Sequence, residues 1–504
     1  MTTETAAKPL PKRRDRHQTL VLKSAIFSRF LLLFLSILWR VLLRPYDTSA
    51  PLNPACLTDP NPHPHPPPLF PSLGSAIENG IVWDSVYFVR IAQCGYEYEQ
   101  SYAFLPLLPA CIFILSQTVF APLIPVFGHR AVLGLSGYVV SNVAFVLAAI
   151  YFYKLSVIIL KDPVVALRAS ILFCFSPASI FYSSIYSESL YALFSVGGLY
   201  HLISGANSIA IIWLALSGCA RSNGVLNAGY FCFQTMHQAY DAIFLKKRKF
   251  LALRILIAGA LHCICIFAPF IAFQVYGYYN ICQGRSPDEL SPWCKARIPL
   301  LYNYIQSHYW GGGFLRYFQV KQLPNFLLAS PILSLALCSI GYYVNSRPKI
   351  VFSLGFQASV EEKGSSVLFF PLEADQRSKG PLSEQSSSVR QENHNLRQRK
   401  RMGQGRDPAQ HRVDHEPLEK SGYLCAFMLP FIVHLGIMAA TAFLVMHVQV
   451  ATRFLSASPP LYWFASYVMV SPGMSQRWGY MIWAYSAAYI LLGSLLFSNF
   501  YPFT

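Results

Sequence analysis

Long apolar runs alternate with short polar interruptions along most of the chain. A first run lies at about 25–43; others cover roughly 103–127, 131–153, 164–186, 188–218, 222–235, 251–279, 324–344, 422–450, 459–472 and 480–500. A helix crossing a bilayer needs about 20 mostly apolar residues. The pattern therefore predicts an all-α polytopic membrane protein with roughly 8–12 transmembrane helices. Pro106, Pro109, Pro122, Pro125 and Pro177 fall inside apolar runs, so half-spans and breaks are expected between 103 and 235. Two stretches depart from the pattern. Residues 51–71 are too rich in proline for regular helix. Residues 345–420 are densely charged, with Ser386-Ser387-Ser388 and the run Arg397-Gln398-Arg399-Lys400-Arg401, and read as a flexible insertion.

Composition sharpens this reading. Of 504 residues, 54% are hydrophobic and only 12% charged, against about 25% charged in a soluble domain. A water-soluble enzyme is excluded on that ground, and so is disorder over most of the length. The net charge of +17 would suggest nucleic acid in a soluble protein. Here the cations gather in short flanks and the insertion, as the positive-inside rule requires, so no nucleic-acid partner is expected.

The same rule orients the chain. Lys8, Lys12, Arg13, Arg14, Arg16 and Lys23 make 1–24 a cytosolic basic N-terminus. The span at 25–44 is too long for a signal-peptide core and lacks a small-residue cleavage site, so it is retained. Loop 45–102 then lies on the far side, with Ile81–Gln100 suited to a helix at the interface. Lys246, Lys247, Arg248 and Lys249 mark a cytosolic turn within the bundle 103–279, which sends loop 280–322 to the lumen. A span at 323–344 returns to the cytosolic insertion 345–420, and 421–504 holds the C-terminal spans. Twelve cysteines in a chain of this size are no disulfide scaffold. Cys282 and Cys294 bracket a short polar loop, where a disulfide would require an oxidising lumen.

Three stretches carry polar groups that anchoring does not need. The first is Trp83-Asp84-Ser85-Val86-Tyr87-Phe88, followed by Gly95-Tyr96-Glu97-Tyr98-Glu99. A carboxylate against an aromatic ring just outside a span suits proton abstraction from a dry pocket; the alternative is an interfacial Trp with a helix-capping Asp. In the second, Tyr302, Gln306, Tyr309 and Gly313 have helical spacing, next to Trp310. Such a face suits a sugar or a lipid headgroup, or an ordinary aromatic belt. The third is scattered: Glu188, Arg221 with Asn223, and Arg453. Charges at membrane depth are functional candidates, and these three could equally pair as structural ties. His63-Pro64-His65 offers no helical face and reads as a solvated loop rather than a metal site.

Taken in order, these residues resemble a known family. Trp83-Asp84 with Gly95-Tyr96 and Ala103-Phe104-Leu105-Pro106, Ser176-Pro177-Ala178 with Tyr186-Ser187-Glu188, and Arg221-Ser222-Asn223-Gly224 are similar to the second mannosyltransferase family of glycosylphosphatidylinositol (GPI) anchor assembly. So are Pro292-Trp293-Cys294, Gln306 with Tyr309-Trp310, Gln322-Leu323-Pro324-Asn325-Phe326, and His447-Val448-Gln449 with Thr452-Arg453-Phe454-Leu455. The terminal Asn499-Phe500-Tyr501-Pro502-Phe503-Thr504 looks like the family's short aromatic tail. The resemblance implies a GT-C-type glycosyltransferase of the endoplasmic reticulum membrane whose lumenal loops form the active site. It implies transfer of an α1,6-linked mannose from dolichol-phosphate-mannose to the mono-mannosylated GPI precursor lipid. It leaves open whether a small accessory membrane subunit takes part, as in fungal relatives.

A β-linked donor giving an α-glycoside means inversion in one displacement, which needs one base and cations to steady the phosphate. Asp84 is the expected catalytic base, Trp83 shapes its pocket, and Glu97 is the reserve carboxylate. Arg453 and Arg221 are expected at the phosphate, ahead of Arg90. Gln306, Tyr309 and Trp310 are expected at the acceptor glycan or the leaving phosphate, with Glu188 and Asn223 in support. The leaving group is a lipid monophosphate, so no metal or other cofactor is obviously required. The competing readings are another dolichol-phosphate-sugar transferase, a lipid or ion transporter with Glu188, Arg221 and Arg453 along its pathway, and a scaffolding subunit.

Overall fold

The computed structural model describes residues 11–46, 56–57, 67–284, 286, 290–364, 368–369, 422–470 and 475–501. Every regular element among them is helical. His63 and His65, most of the Pro-rich stretch, and 365–367 and 370–420 of the insertion lie outside the described residues.

Six helices are long and apolar enough to cross a membrane, or seven if the pair Leu107–Gln117 and Ala121–Phe127, bent by 70°, counts as one span. The protein is a multi-pass membrane protein, with fewer full-length spans among the described residues than the apolar runs suggested. Most of the shortfall lies in 103–235, where several runs fold as shorter pieces; the run 459–472 likewise gives only the helix Pro459–Val470 among the described residues. The run 164–186 becomes Pro163–Cys174, which starts cleanly because the Asp162 carboxylate accepts from the Val164 and Val165 N–H groups at 2.7 and 3.2 Å, with Pro163 in the first turn. It stops at Phe175, just before Ser176-Pro177. The run 188–218 folds back on itself as Glu188–Ile203 and Asn207–Ala220, joined through Gly205 at φ 82°. A Cβ on Gly197 would come within 2.2 Å of the Trp213 ring, so a residue without a side chain lets these two helices approach.

The break after Cys174 leaves backbone carbonyls without helical partners. Arg29 of the first helix, Pro11–Leu42, supplies donors: its guanidinium reaches the Ser179 carbonyl at 2.9 Å and the Ser183 hydroxyl at 2.8 Å, over the Phe145 ring at 3.8 Å. A buried cation is costly unless so engaged.

The helices have two distinct ends. At one, Gly80 meets Tyr138, Asn280 meets Tyr102, Tyr46 meets Asn499, and Gly313 meets Val445 through hydrogen bonds. A second small core there joins Trp293, Leu301 and Ile305 of loop 280–322 to Tyr102, Leu105 and Phe273. Both disulfides, Cys56–Cys94 and Cys282–Cys294, belong to this end; only the second is suggested by the sequence. At the other end Lys161 lies over Phe427, Arg347 pairs with Glu362, and His237 contacts the Leu354 carbonyl. Ile350, Ala358, Leu368 and Phe369 are buried there, so the opening of the segment 345–420 packs onto the bundle.

Candidate active site

Asp84 stands at the start of the helix Ser85–Cys94 but does not cap it. Its backbone is already helical, at φ −58°, and its side chain accepts no capping hydrogen bond. The carboxylate instead pairs with Arg453, Nη1 to Oδ2 at 2.9 Å. Arg453 comes from the short helix Ala451–Leu455, 369 residues away. The Asp84 N–H donates to the Tyr186 hydroxyl at 3.1 Å.

Arg453 is shared. Its Nε lies 3.9 Å from Glu188, which opens the helix Glu188–Ile203 and also pairs with Arg221 at the end of Asn207–Ala220. The Glu188 side chain is 2% exposed, and among the described residues its charge is met by Arg221 and Arg453. Asp84 and Arg453 are more open, at 33% and 20%. The guanidinium of Arg453 lies over Phe181 and Tyr186, at 5.4 and 5.6 Å. Burial works against that cation, but Asp84 and Glu188 more than offset it and hold the proton more tightly than in water. Burial and the Asp84 charge both raise the Tyr186 phenol well above its ordinary value, so it stays a neutral hydroxyl.

Aromatic rings border this chain of four charges. Tyr87, one turn after Asp84, stacks on Phe104 at 4.6 Å, and Phe104 meets Trp310 edge-on at 6.2 Å. Burial, with help from Asp84, raises the Tyr87 phenol. On the Arg221 side, the Ser222 hydroxyl donates to Tyr302 at 2.7 Å. Burial raises the Tyr302 phenol, a rise reduced by that hydrogen bond and by the Arg221 and Arg453 charges.

The residues singled out in the sequence divide accordingly. Asp84, Glu188, Arg221 and Arg453 come together, although they look scattered along the chain. Trp83 stands beside them, its indole N–H donating to the Phe497 carbonyl at 3.1 Å. Glu97 and Arg90 engage each other at 2.7 Å rather than Asp84. Tyr309 donates to Glu99 at 2.8 Å, and Trp293 donates to the same carboxylate at 2.6 Å. Glu99 thus ties loop 280–322 to loop 45–102. The helix Leu301–His308 ends before Gly313: the Gly312 N–H returns to the Gln306 carbonyl and Gly311 takes φ 64°, so the expected shared face breaks there. Gln306 is half-buried. The Trp310 carbonyl is held by His447. Asn223 is buried, its amide 3.9 Å from the Met438 sulfur. Tyr186 and Tyr302 are visible as motif residues, but nothing in their spacing marks them as partners of Asp84 and Arg221.

A family model described as mannosyltransferase (PIG-V) matches residues 17–504. The chain belongs to that family. It is therefore a membrane-embedded glycosyltransferase. Among similar proteins, GPI alpha-1,6-mannosyltransferase 2 of Rattus norvegicus is 28% identical over 478 residues, 90% of this chain and 85% of the relative. GPI mannosyltransferase 2 of Drosophila pseudoobscura pseudoobscura is 29% identical over 450 residues, 84% and 86% of the two chains. GPI mannosyltransferase 2 of Cryptococcus neoformans is 34% identical over 265 residues, 51% and 61%. No solved structure matches this chain.

Proposed function

We propose that this mannosyltransferase adds the second, α1,6-linked mannose to the mono-mannosylated GPI precursor, taking it from dolichol-phosphate-mannose on the lumenal face of the endoplasmic reticulum membrane. The names of its relatives support the reaction, and both disulfides at the site end suit an oxidising lumen. The observation that carries the mechanism is Arg453 held between Asp84 and Glu188.

In this reading Asp84 takes the proton from the acceptor hydroxyl as that oxygen bonds to C1 of the donor mannose. The C1–O bond to phosphate breaks, and its electron pair leaves with the lipid phosphate. The two charge changes are coupled. As Asp84 is neutralised it loses its hold on Arg453 at the moment the phosphate gains a negative charge nearby. Glu188 keeps Arg453 and Arg221 in place throughout, since it is buried and takes no part in the proton transfer. The ring shelf of Tyr87, Phe104 and Trp310 offers the flat apolar surface on which a sugar face packs. The helix Lys249–Cys282 is little covered by the other described residues; that face takes lipid or a small accessory membrane subunit.

The test is Asp84→Asn in microsomes, assayed with labelled dolichol-phosphate-mannose at equal protein level. The expected result is a folded protein that accumulates the one-mannose intermediate; full transfer activity would remove Asp84 as the base. Arg221→Ala should raise the donor concentration needed for half-maximal rate, and unchanged donor dependence would take Arg221 out of the phosphate site.

A further inference from the structure

We infer that Phe497–Tyr501, the end of the last helix Ser475–Ser498 together with the residues just after it, is a working wall of the active site: it clamps Trp83 and thereby positions the Asp84–Arg453 pair. The inference rests on the reading of Asp84 as the base.

Trp83 sits at φ 53°, in the left-handed region that a bulky side chain avoids. Such a conformation persists only where surrounding contacts over-determine it. Here the contacts come from 497–501. The indole N–H donates to the Phe497 carbonyl at 3.1 Å, and the indole packs on the Phe500 ring at 5.7 Å. Phe500 is itself left-handed, at φ 58°, so the clamp is shaped on both sides.

The segment is in turn anchored to the end of the first helix and the residues just after it. Buried Asn499 extends its side-chain amide toward the Trp39 carbonyl, and its backbone carbonyl accepts from the Tyr46 N–H at 2.8 Å. Tyr501 meets Tyr46 ring to ring at 5.5 Å.

The same segment reaches the other partner of the ion pair. The Phe497 ring lies 5.4 Å from Phe181 and 5.5 Å from Tyr186, the two rings beneath the Arg453 guanidinium. One short stretch of chain therefore touches the acid through Trp83 and the cation through its aromatic seat. The turn at Trp83 decides where the next residue, Asp84, sets its carboxylate. A shift of about 1 Å there is enough to slow proton transfer strongly without weakening donor binding.

The experiment compares Trp83→Phe, which keeps a ring but loses the indole donor, with Phe500→Ala and the double variant. The full chain is purified in detergent and assayed with dolichol-phosphate-mannose and the mono-mannosylated acceptor, with rates expressed per folded protein. Each single variant should lower kcat by about tenfold with donor KM within about twofold, and the double should fall no further than the worse single. A wild-type kcat in Phe500→Ala, or losses that multiply in the double, would overturn the clamp. Should Phe500→Ala fail to fold, Phe500→Leu keeps the apolar bulk and must still lower kcat; an unchanged rate there also overturns it. Asp84→Asn assayed alongside separates the two readings: an active Asp84→Asn removes the base, whereas an inactive one beside a fully active Phe500→Ala removes only the clamp.

Discussion

Two groups of buried charges occupy the same end of the molecule and are built on opposite plans. Arg90 and Glu97 are seven residues apart and meet at 2.7 Å. The Glu97 carboxylate also accepts the Leu57 N–H, with the Cys56–Cys94 disulfide closing the loop beside it. That pair is local and fully engaged. Asp84, Glu188, Arg221 and Arg453 are drawn from four distant parts of the chain; Arg453 divides itself between two carboxylates, and its Asp84 side is open. A saturated pair is useful as a tie, because nothing remains for a substrate to displace. A shared cation with one half-open partner can change partners during a reaction without being left bare, which suits the proton transfer proposed for Asp84.

The largest effect should come from the open pair. Asp84→Asn should lower mannose transfer by about 10²–10⁴-fold, the usual worth of a general base, while Glu97→Gln should leave the rate per folded protein nearly unchanged. A larger loss in Glu97→Gln would reverse the assignment of the two carboxylates. Next is Glu188→Gln, which leaves Arg221 and Arg453 short of their buried counter-charge. Removing one partner of a buried pair costs about 3–5 kcal/mol, so both thermal midpoint and activity should fall, measured by thermal melts in detergent alongside the transfer assay.

Cys94→Ser tests the tie. Loss of a disulfide costs about 2–4 kcal/mol; the variant should melt earlier yet keep most of its kcat below the melt. A catalytic defect larger than the stability defect would mean that the tie also shapes the site. Tyr309→Phe should give the smallest change. It removes the hydrogen bond to Glu99 at 2.8 Å while Trp293 still holds that carboxylate. Acceptor KM should move by about twofold or less, given the modest net worth of one half-exposed hydrogen bond.

The helical membrane class, the positions of the apolar runs and the candidacy of Trp83-Asp84 are all legible in the amino-acid sequence. These depend on local composition: the cost of placing each residue in lipid or water is set residue by residue. The individual charges at 188, 221 and 453 stand out for the same reason. The family resemblance adds a chemical identity that spacing could not supply.

Tertiary structure alone decided how these parts combine. Arg453 could have faced any carboxylate of the chain; folding set its guanidinium, carried on the short helix Ala451–Leu455, over Phe181 and Tyr186 and between Asp84 and Glu188. The Cys56–Cys94 bridge, the tie at Glu99 and the seat of Trp83 on Phe497 and Phe500 are likewise long-range closures. Breaks at 175–177 and 204–206 turned expected spans into shorter helices: Arg29 meets carbonyls left open at the first, and at the second the Gly205 and Ala206 N–H groups return to the Leu202 and His201 carbonyls while Gly197 lets the two helices pack closely. Partition free energy is a property of each segment taken singly, whereas pairing is a property of two segments brought together. The chain therefore announced its charges, and only folding decided which of them meet.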